Sequence, residues 1–221
     1  IGVGLVGSEM CIRDSAKAAS IAGDLVVQNA RVRAIGEDAG GFRPISEKDL
    51  FDCEYWSLEQ AKLGKGAPPK FQGKVVMITG GSGTIGFAIA EAFSKLGAQT
   101  ILVDKDEIAL KESVTKLGVG HKYFPIDVTH SDAANQALLA AVNNFGGLDI
   151  LISNAGAAHA GPMLDISNEE LRNAFELNFF SHYSFSTEAA KILKDQNRGG
   201  QILFNISKQA VNPGKNFGAY G

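Results

Sequence analysis

From Lys74 onward the chain alternates short apolar runs with helical stretches, and that rhythm constrains the fold more than any other feature. KVVMIT (74–79), TILVD (100–104), HKYFPID (121–127), LDILISN (148–154) and QILFNIS (201–207) read as strands. Between them, IGFAIAEAFSKLG (85–97), DEIALKESVTKLG (106–118), SDAANQALLAAVNNFG (131–146) and the long SNEELRNAFELNFFSHYSFSTEAAKILKDQ (167–196) read as helices. Ser131 and Ser167 are expected to cap their helices, and Gly97 to stop the first. Strands this continuously apolar are covered on both faces, and strand–helix alternation gives a parallel sheet with right-handed crossovers. The expected fold class is therefore α/β, a doubly wound parallel sheet. Five strands are visible, where a doubly wound dinucleotide fold has about six. The domain is thus expected to be incomplete at its C-terminal end.

The segment upstream is different. IGVGLVGSEMCIRDS (1–15) has no basic start and is a poor signal peptide. GSEMCIRDS resembles a translated sequencing adapter, so residues 1–15 are set aside as non-native. SEKDLFDCEYWSLEQAKL (46–63) reads as a helix capped by Ser46, with Leu50, Phe51, Tyr55, Trp56, Leu58 and Leu63 supplying apolar surface. Residues 16–63 are too few to bury a core of their own and must dock on something. GKGAPPK (64–70) breaks the helix and has linker composition. The expected division is 1–15, 16–63, a linker at 64–72, and a dinucleotide-binding domain at 73–221, preceded by the short helical remnant.

Bulk properties exclude some partners. A net charge of −3 leaves no footprint for nucleic acid, and no apolar run approaches the length of a membrane span. Cys11 and Cys53 lack metal-ligand spacing and make no disulfide framework, so a reducing, cytoplasmic setting is expected. His121, His130, His159 and His182 are scattered, which favours surface or supporting roles over metal ligation. No metal site is expected.

TGGSGTIG (79–86) lies between the first strand and the first helix. Gly80, Gly81, Ser82, Gly83, Thr84, Ile85 and Gly86 form a turn tight enough for a pyrophosphate to approach the backbone. The helix start then offers free N–H groups and partial positive charge. Gly81, Gly83 and Gly86 fit G-x-G-x-x-G, which gains weight from the strand–turn–helix context. The competing reading is a glycine turn that serves only helix–strand packing. Asp104 ends the second strand, where a carboxylate accepts ribose hydroxyls and repels a 2′-phosphate. Lys105 follows it, and neither neighbour is arginine. NAD is favoured over NADP, against the alternative of an ordinary polar strand end.

These features resemble the short-chain dehydrogenase/reductase family from about Gly73 to Gly221. The resemblance is carried by TGGSGTIG, Asp104, DV (127–128), NAG (154–156), Asn178, Ser207 and Tyr220. One departure is Thr84, where the ordinary branch has T-G-x-x-x-G-x-G. Gly80, Gly83 and Gly86 instead match T-G-x-x-G-x-x-G of the extended, sugar-nucleotide branch, so an epimerase-type protein is an alternative, as is a non-catalytic dinucleotide-binding module. The resemblance implies that Asp127, followed by Val128, meets the adenine edge; a loop cap is the competing reading. It implies that Asn154 braces the sheet beside the cofactor, and that Ala155 and Gly156 leave room for it. Asn178 is implied to bend its helix and hold a relay water. Its neighbours Leu177, Phe179 and Phe180 suggest a buried stretch.

Ser207 and Tyr220 are thirteen residues apart. Hydride chemistry belongs to the cofactor, and the protein supplies proton transfer and a hydrogen bond at the substrate oxygen. The resemblance gives the first role to Tyr220 and the second to Ser207. A free tyrosine titrates near pH 10, about three units too high, and nearby positive charge lowers it. Family members place a lysine four residues after the tyrosine, beyond Gly221 here. Lys208 and Lys215 lack that one-turn-later geometry. The expectation is a truncated chain with negligible activity, from an active parent that assembles as a homo-oligomer around a small-molecule substrate.

PISEKDLFDCEYWSLEQAKL (44–63), the linker and FNISKQAVNPGKNFGAYG (204–221) also resemble bifunctional proteins in which a class II rhamnulose-1-phosphate aldolase precedes a short-chain dehydrogenase. Residues 16–63 would then end the aldolase domain. Its zinc-binding histidines would lie upstream, since 16–73 has none. That resemblance implies rhamnose breakdown, with lactaldehyde as the substrate oxidised by NAD.

Overall fold

The computed structural model describes residues 16–54 and 69–221. The chain divides into two compact units, Ile1–Pro69 and Lys70–Gly221. In the first, α1 spans Ala16–Asp38 and α2 spans Glu47–Glu54. The Ser46 hydroxyl caps α2, accepting the Asp49 N–H at 3.1 Å. α1 was not anticipated, and the helix expected to run to residue 63 is described only to Glu54. Tyr55, Trp56, Leu58, Leu63, most of the expected linker and residues 1–15 lie outside the described residues.

The second unit holds one parallel sheet. Its strands are β1 (Val75–Thr79), β2 (Gln99–Asp104), β3 (Lys122–Pro125), β4 (Ile150–Ser153) and β5 (Gln201–Phe204). Its helices are α3 (Thr84–Lys95), α4 (Glu107–Leu117), α5 (Ala133–Phe145), α6 (Asn168–Phe175) and α7 (Ser181–Gln196), with a π-helical turn at Glu176–Phe180 joining the last two. The strand order is β3-β2-β1-β4-β5, and every pair is parallel. The doubly wound α/β expectation holds. Order reverses between β1 and β4, so the crevice at their carboxyl ends is where such sheets bind ligands.

The apolar runs explain the layering. β1 is buried along its whole length, and Met77, Ile78, Ile101, Leu102 and Leu151 are fully enclosed. Each such side chain contributes about 1.5–3 kcal/mol by leaving water. At the opposite end of the sheet, Asp149 joins β1 to β4 by accepting from Lys74 Nζ and from the Val75 N–H, both at 2.9 Å. β3 and β5 are the two edge strands, and Leu203 and Phe204 of β5 are exposed.

Local chemistry sets the helix ends. Asp106 caps α4 by accepting from the Ala109 N–H at 3.0 Å, and Gly146 ends α5 in the left-handed region. Ser167 makes a full capping box with Glu170, as expected. Ser131 does not cap α5. Asp132 stands at that position, and its carboxylate bonds the side chains of Asn135 and Gln136 instead of the backbone. The expected single helix over 167–196 is interrupted by the π turn. Phe179 and Phe180 are exposed, not buried, because the turn carries them outward.

Candidate active site

The turn after β1 is built by close approach. Gly80 has φ +63°, and a Cβ there would meet the Ala155 Cα at 2.9 Å. A Cβ on Gly86 would overlap the Gly80 carbonyl oxygen, and one on Gly81 would meet the Leu102 Cβ at 2.8 Å. Gly83 differs: its added Cβ would touch only the Gly80 oxygen, at 3.4 Å. Packing thus accounts for Gly80, Gly81 and Gly86, while Gly83 leaves room for a group outside the chain. Gly83 is also the N-cap of α3, and no side chain caps that helix. An anion fits there, facing open N–H groups and the positive end of the helix.

The end of β4 is locked to this turn. The buried Thr79 hydroxyl oxygen accepts the N–H of Asn154 at 2.9 Å and of Ala155 at 3.0 Å. The Asn154 amide donates to the carbonyls of Thr79 and Gly80, and its Oδ1 accepts from Asn205 Nδ2 at 2.8 Å. Thr79 and Asn205 are supporting residues absent from the sequence reading. Thr79 opens the glycine motif and was open to notice; Asn205 carries no local signal.

Asn178 sits in the π turn, a distortion common at functional sites. Its Oδ1 accepts the Ala157 N–H and its Nδ2 donates to the Ala157 carbonyl, both at 3.0 Å. A Cβ on Gly156 would meet that Oδ1 at 2.9 Å. The side chain therefore pins the loop after β4. Ser207 follows β5, and its Oγ accepts from the Gln209 N–H at 3.2 Å. Its hydroxyl proton is left to donate elsewhere. Tyr220 packs edge-on to Phe217.

One open cleft of about 1170 Å³ gathers most of these groups. Gly80, Gly83, Thr84, Ile85 and Gly86 line one end, Asn154, Ala155, Gly156 and Asn178 the floor, and Ser207 and Tyr220 the other end. Gly81, Ser82, Asp104, Asp127 and Val128 do not line it. They lie on the β2–β3 side of the sheet's carboxyl edge, where Asp104 pairs in register with Pro125. Asp127 acts as a loop cap: its Oδ1 accepts the Thr129 N–H at 3.0 Å and hydroxyl at 2.7 Å. The Thr129 backbone bond, helped by its hydroxyl and by Lys105 and His130, holds this carboxyl below the usual range.

A glycine turn feeding a helix at the switch point of a parallel sheet is the arrangement of a dinucleotide-binding domain. The chain belongs to the short chain dehydrogenase family, which it matches over residues 74–221. Residues 2–63 match the second domain of class II aldolases, a match that begins within the segment set aside above and fits an aldolase–dehydrogenase fusion. The uncharacterized oxidoreductase YuxG of Bacillus subtilis is 34% identical over 188 residues, 82% of this chain and 27% of its own. That alignment is longer than the 74–221 segment itself. A 3-ketoacyl-(acyl-carrier-protein) reductase from Brucella melitensis, solved with NADH, superposes with a TM-score of 0.65 at 27% identity, covering 67% of this chain and 63% of its own. An alcohol dehydrogenase from Thermococcus sibiricus, solved with 5-hydroxy-NADP, gives 0.63 at 26% identity, covering 66% and 63%. The chain spans from about a quarter to just over half the length of the curated relatives it matches. Among the described residues no helix is long and apolar enough to cross a membrane.

Proposed function

We propose that the whole protein is an NAD-dependent oxidoreductase acting on a small hydroxy or aldehyde substrate, with lactaldehyde the simplest candidate. The observation that carries this reading is the single cleft joining the Gly80–Gly86 turn to Ser207, Tyr220 and Asn178. Bound nicotinamide supplies the hydride chemistry. The chain's own groups do the rest. Ser207, its oxygen already bonded by Gln209, donates its proton to the substrate oxygen. Tyr220 exchanges a proton at that same oxygen. Asn178 pins the loop after β4 through the Ala157 backbone. Asp104 favours NAD because its charge repels a 2′-phosphate.

The match of residues 2–63 to an aldolase domain supports the finer reading. In it, residues 16–63 end an aldolase unit, 64–72 link it, and 73–221 bind the dinucleotide. An aldolase that releases lactaldehyde would feed the oxidoreductase directly. We place such a protein in the cytoplasm, as a homo-oligomer.

Fluorescence titration of the chain with NADH and NADPH tests the cofactor. NADH is expected to bind at least about tenfold more tightly, the scale of one charge-mediated discrimination. Equal affinities would remove the NAD preference, and absence of binding to both would overturn the reading. Lactaldehyde-dependent NADH formation by the whole protein, lost in Tyr220→Phe, tests the chemistry.

A further inference from the structure

His182 occupies a place that none of the roles above uses. It lies one turn beyond Asn178, on the same side of the helix, and lines the same cleft. Its Nδ1 is 2.6 Å from the hydroxyl of Ser153, the last residue of β4 and almost wholly buried. Its ring tilts against Phe204, the last residue of β5, with centroids 6.2 Å apart. Ser153 and Phe204 are partners in the β4–β5 register. The next residues are bonded too: Asn205 donates its N–H to the Ser153 carbonyl and its amide to Asn154. One imidazole thus touches both strands just before they release the turns that carry Asn154–Gly156 and Ser207. Burial holds its pKa below the ordinary value, opposed more weakly by a bond the ring donates to the Ala155 backbone carbonyl. The neutral ring that results keeps one donor and one acceptor.

We propose that His182 is a positioning residue for the nicotinamide half of the cofactor. From α7 it ties down the end of β4 and packs on the end of β5, fixing the spacing between the Asn154–Gly156 turn and the Ser207 turn. Ser82 and Asp104, which would hold the adenosine half, lie at the glycine turn and the end of β2 and take no part in this contact. This inference rests on the dinucleotide-binding reading above.

The test uses the chain with two probes, NADH and ADP-ribose, which lacks nicotinamide. His182→Phe and Ser153→Ala are each expected to weaken NADH about five- to tenfold, the scale of one hydrogen bond, and to leave ADP-ribose within about twofold. His182→Asn, which keeps a donor and an acceptor, is expected to recover most of the loss. The double variant His182→Phe/Ser153→Ala should bind NADH no worse than His182→Phe alone, since both remove the same bond. Unchanged NADH binding in both single variants overturns the inference, and so does equal weakening of both probes in folded protein. Should His182→Phe lose its circular dichroism spectrum, Ser153→Ala, a change of one oxygen, decides the matter by the same criteria. An unsubstituted chain that binds neither probe overturns the cofactor reading and this inference with it.

Discussion

Ser82 donates twice to one oxygen of Asp104: its N–H at 3.2 Å and its hydroxyl at 2.7 Å both reach Oδ2. The glycine turn is thereby fastened to the end of β2. The other oxygen, Oδ1, accepts the Lys105 N–H at 2.8 Å. Oδ1 also accepts the Asp106 N–H, at 3.5 Å, so the roughly four acceptor positions of this carboxylate are all engaged, and a ribose hydroxyl would take the place of that longest bond. Asp104→Ala is expected to cost NADH about tenfold in affinity and NADPH much less, collapsing the preference. Ser82→Ala keeps the charge, so the preference should survive with weaker binding. Competitive titration with both nucleotides measures this. A retained NADH preference in Asp104→Ala would remove the carboxylate from specificity.

Gly83 and Gly86 separate binding from folding. Alanine at 86 drives its Cβ into the Gly80 carbonyl, which no rotamer change relieves. We expect a loss of about 1–3 kcal/mol in urea unfolding. Alanine at 83 makes only ordinary contact. Its stability should stay within about 0.5 kcal/mol of the parent while NADH binding falls, because the methyl fills the space left for phosphate. If Gly83→Ala unfolds early and binds normally, the loop serves packing alone.

Gly156 and Asn178 are coupled by the space between them. A methyl on Gly156 would displace the Asn178 amide, whose Oδ1 accepts the Ala157 N–H and whose Nδ2 donates to the Ala157 carbonyl, and break both bonds. Gly156→Ala and Asn178→Ala should each weaken NADH binding. Together they should cost clearly less than the sum, as contacting residues do. Additive losses in a double-mutant cycle would refute the coupling.

His121 makes stability depend on pH. Its Nδ1 accepts the Thr100 N–H at 3.2 Å, so the ring proton sits on Nε2 and faces the Ser94 hydroxyl oxygen at 3.0 Å. Burial lowers its pKa from 6.5. The unfolded chain then binds more protons than the native one between the lowered pKa and 6.5. Stability rises with pH across that window, is fully present above it, and is lost as pH falls through it. The urea midpoint should drop between pH 7 and pH 5, and His121→Gln should flatten the drop. The flattening will be partial, because His182 is lowered in the same direction. Parallel profiles for parent and variant would exclude His121 as a source.

Where local chemistry decides structure, the residues announced it. Continuous apolar runs marked the strands, and Ser167 with Glu170 marked a helix start. The glycine turn was legible because close approach demands glycine, whereas Asn154, Ser207 and Tyr220 were singled out by the family resemblance and not by any local physical signal. α1 was missed because its apolar residues do not gather on one face, and its large ones, such as Leu25 and Ile35, stay exposed. Ser131 misled because Asp132, one position on, was an equally good candidate. Asn178 was visible as a poor helix former, but the π turn that exposes Phe179 and Phe180 depends on the Ala157 backbone twenty-one residues earlier. His182 and Ser153 meet across twenty-nine residues, a pairing set by packing alone.

The central pairing of β1 with β4 has a temporal consequence. Val76 and Ile150 sit side by side although an αβαβα stretch separates them in the chain. β1, β2 and β3 can associate through short crossovers, while β4 must close a much longer loop. The Asn154–Gly156 floor therefore joins the glycine turn late in folding, and during synthesis the turn waits for β4 to follow. A nucleotide gains its full grip only after that closure, so it rewards the finished sheet and not the half-built one.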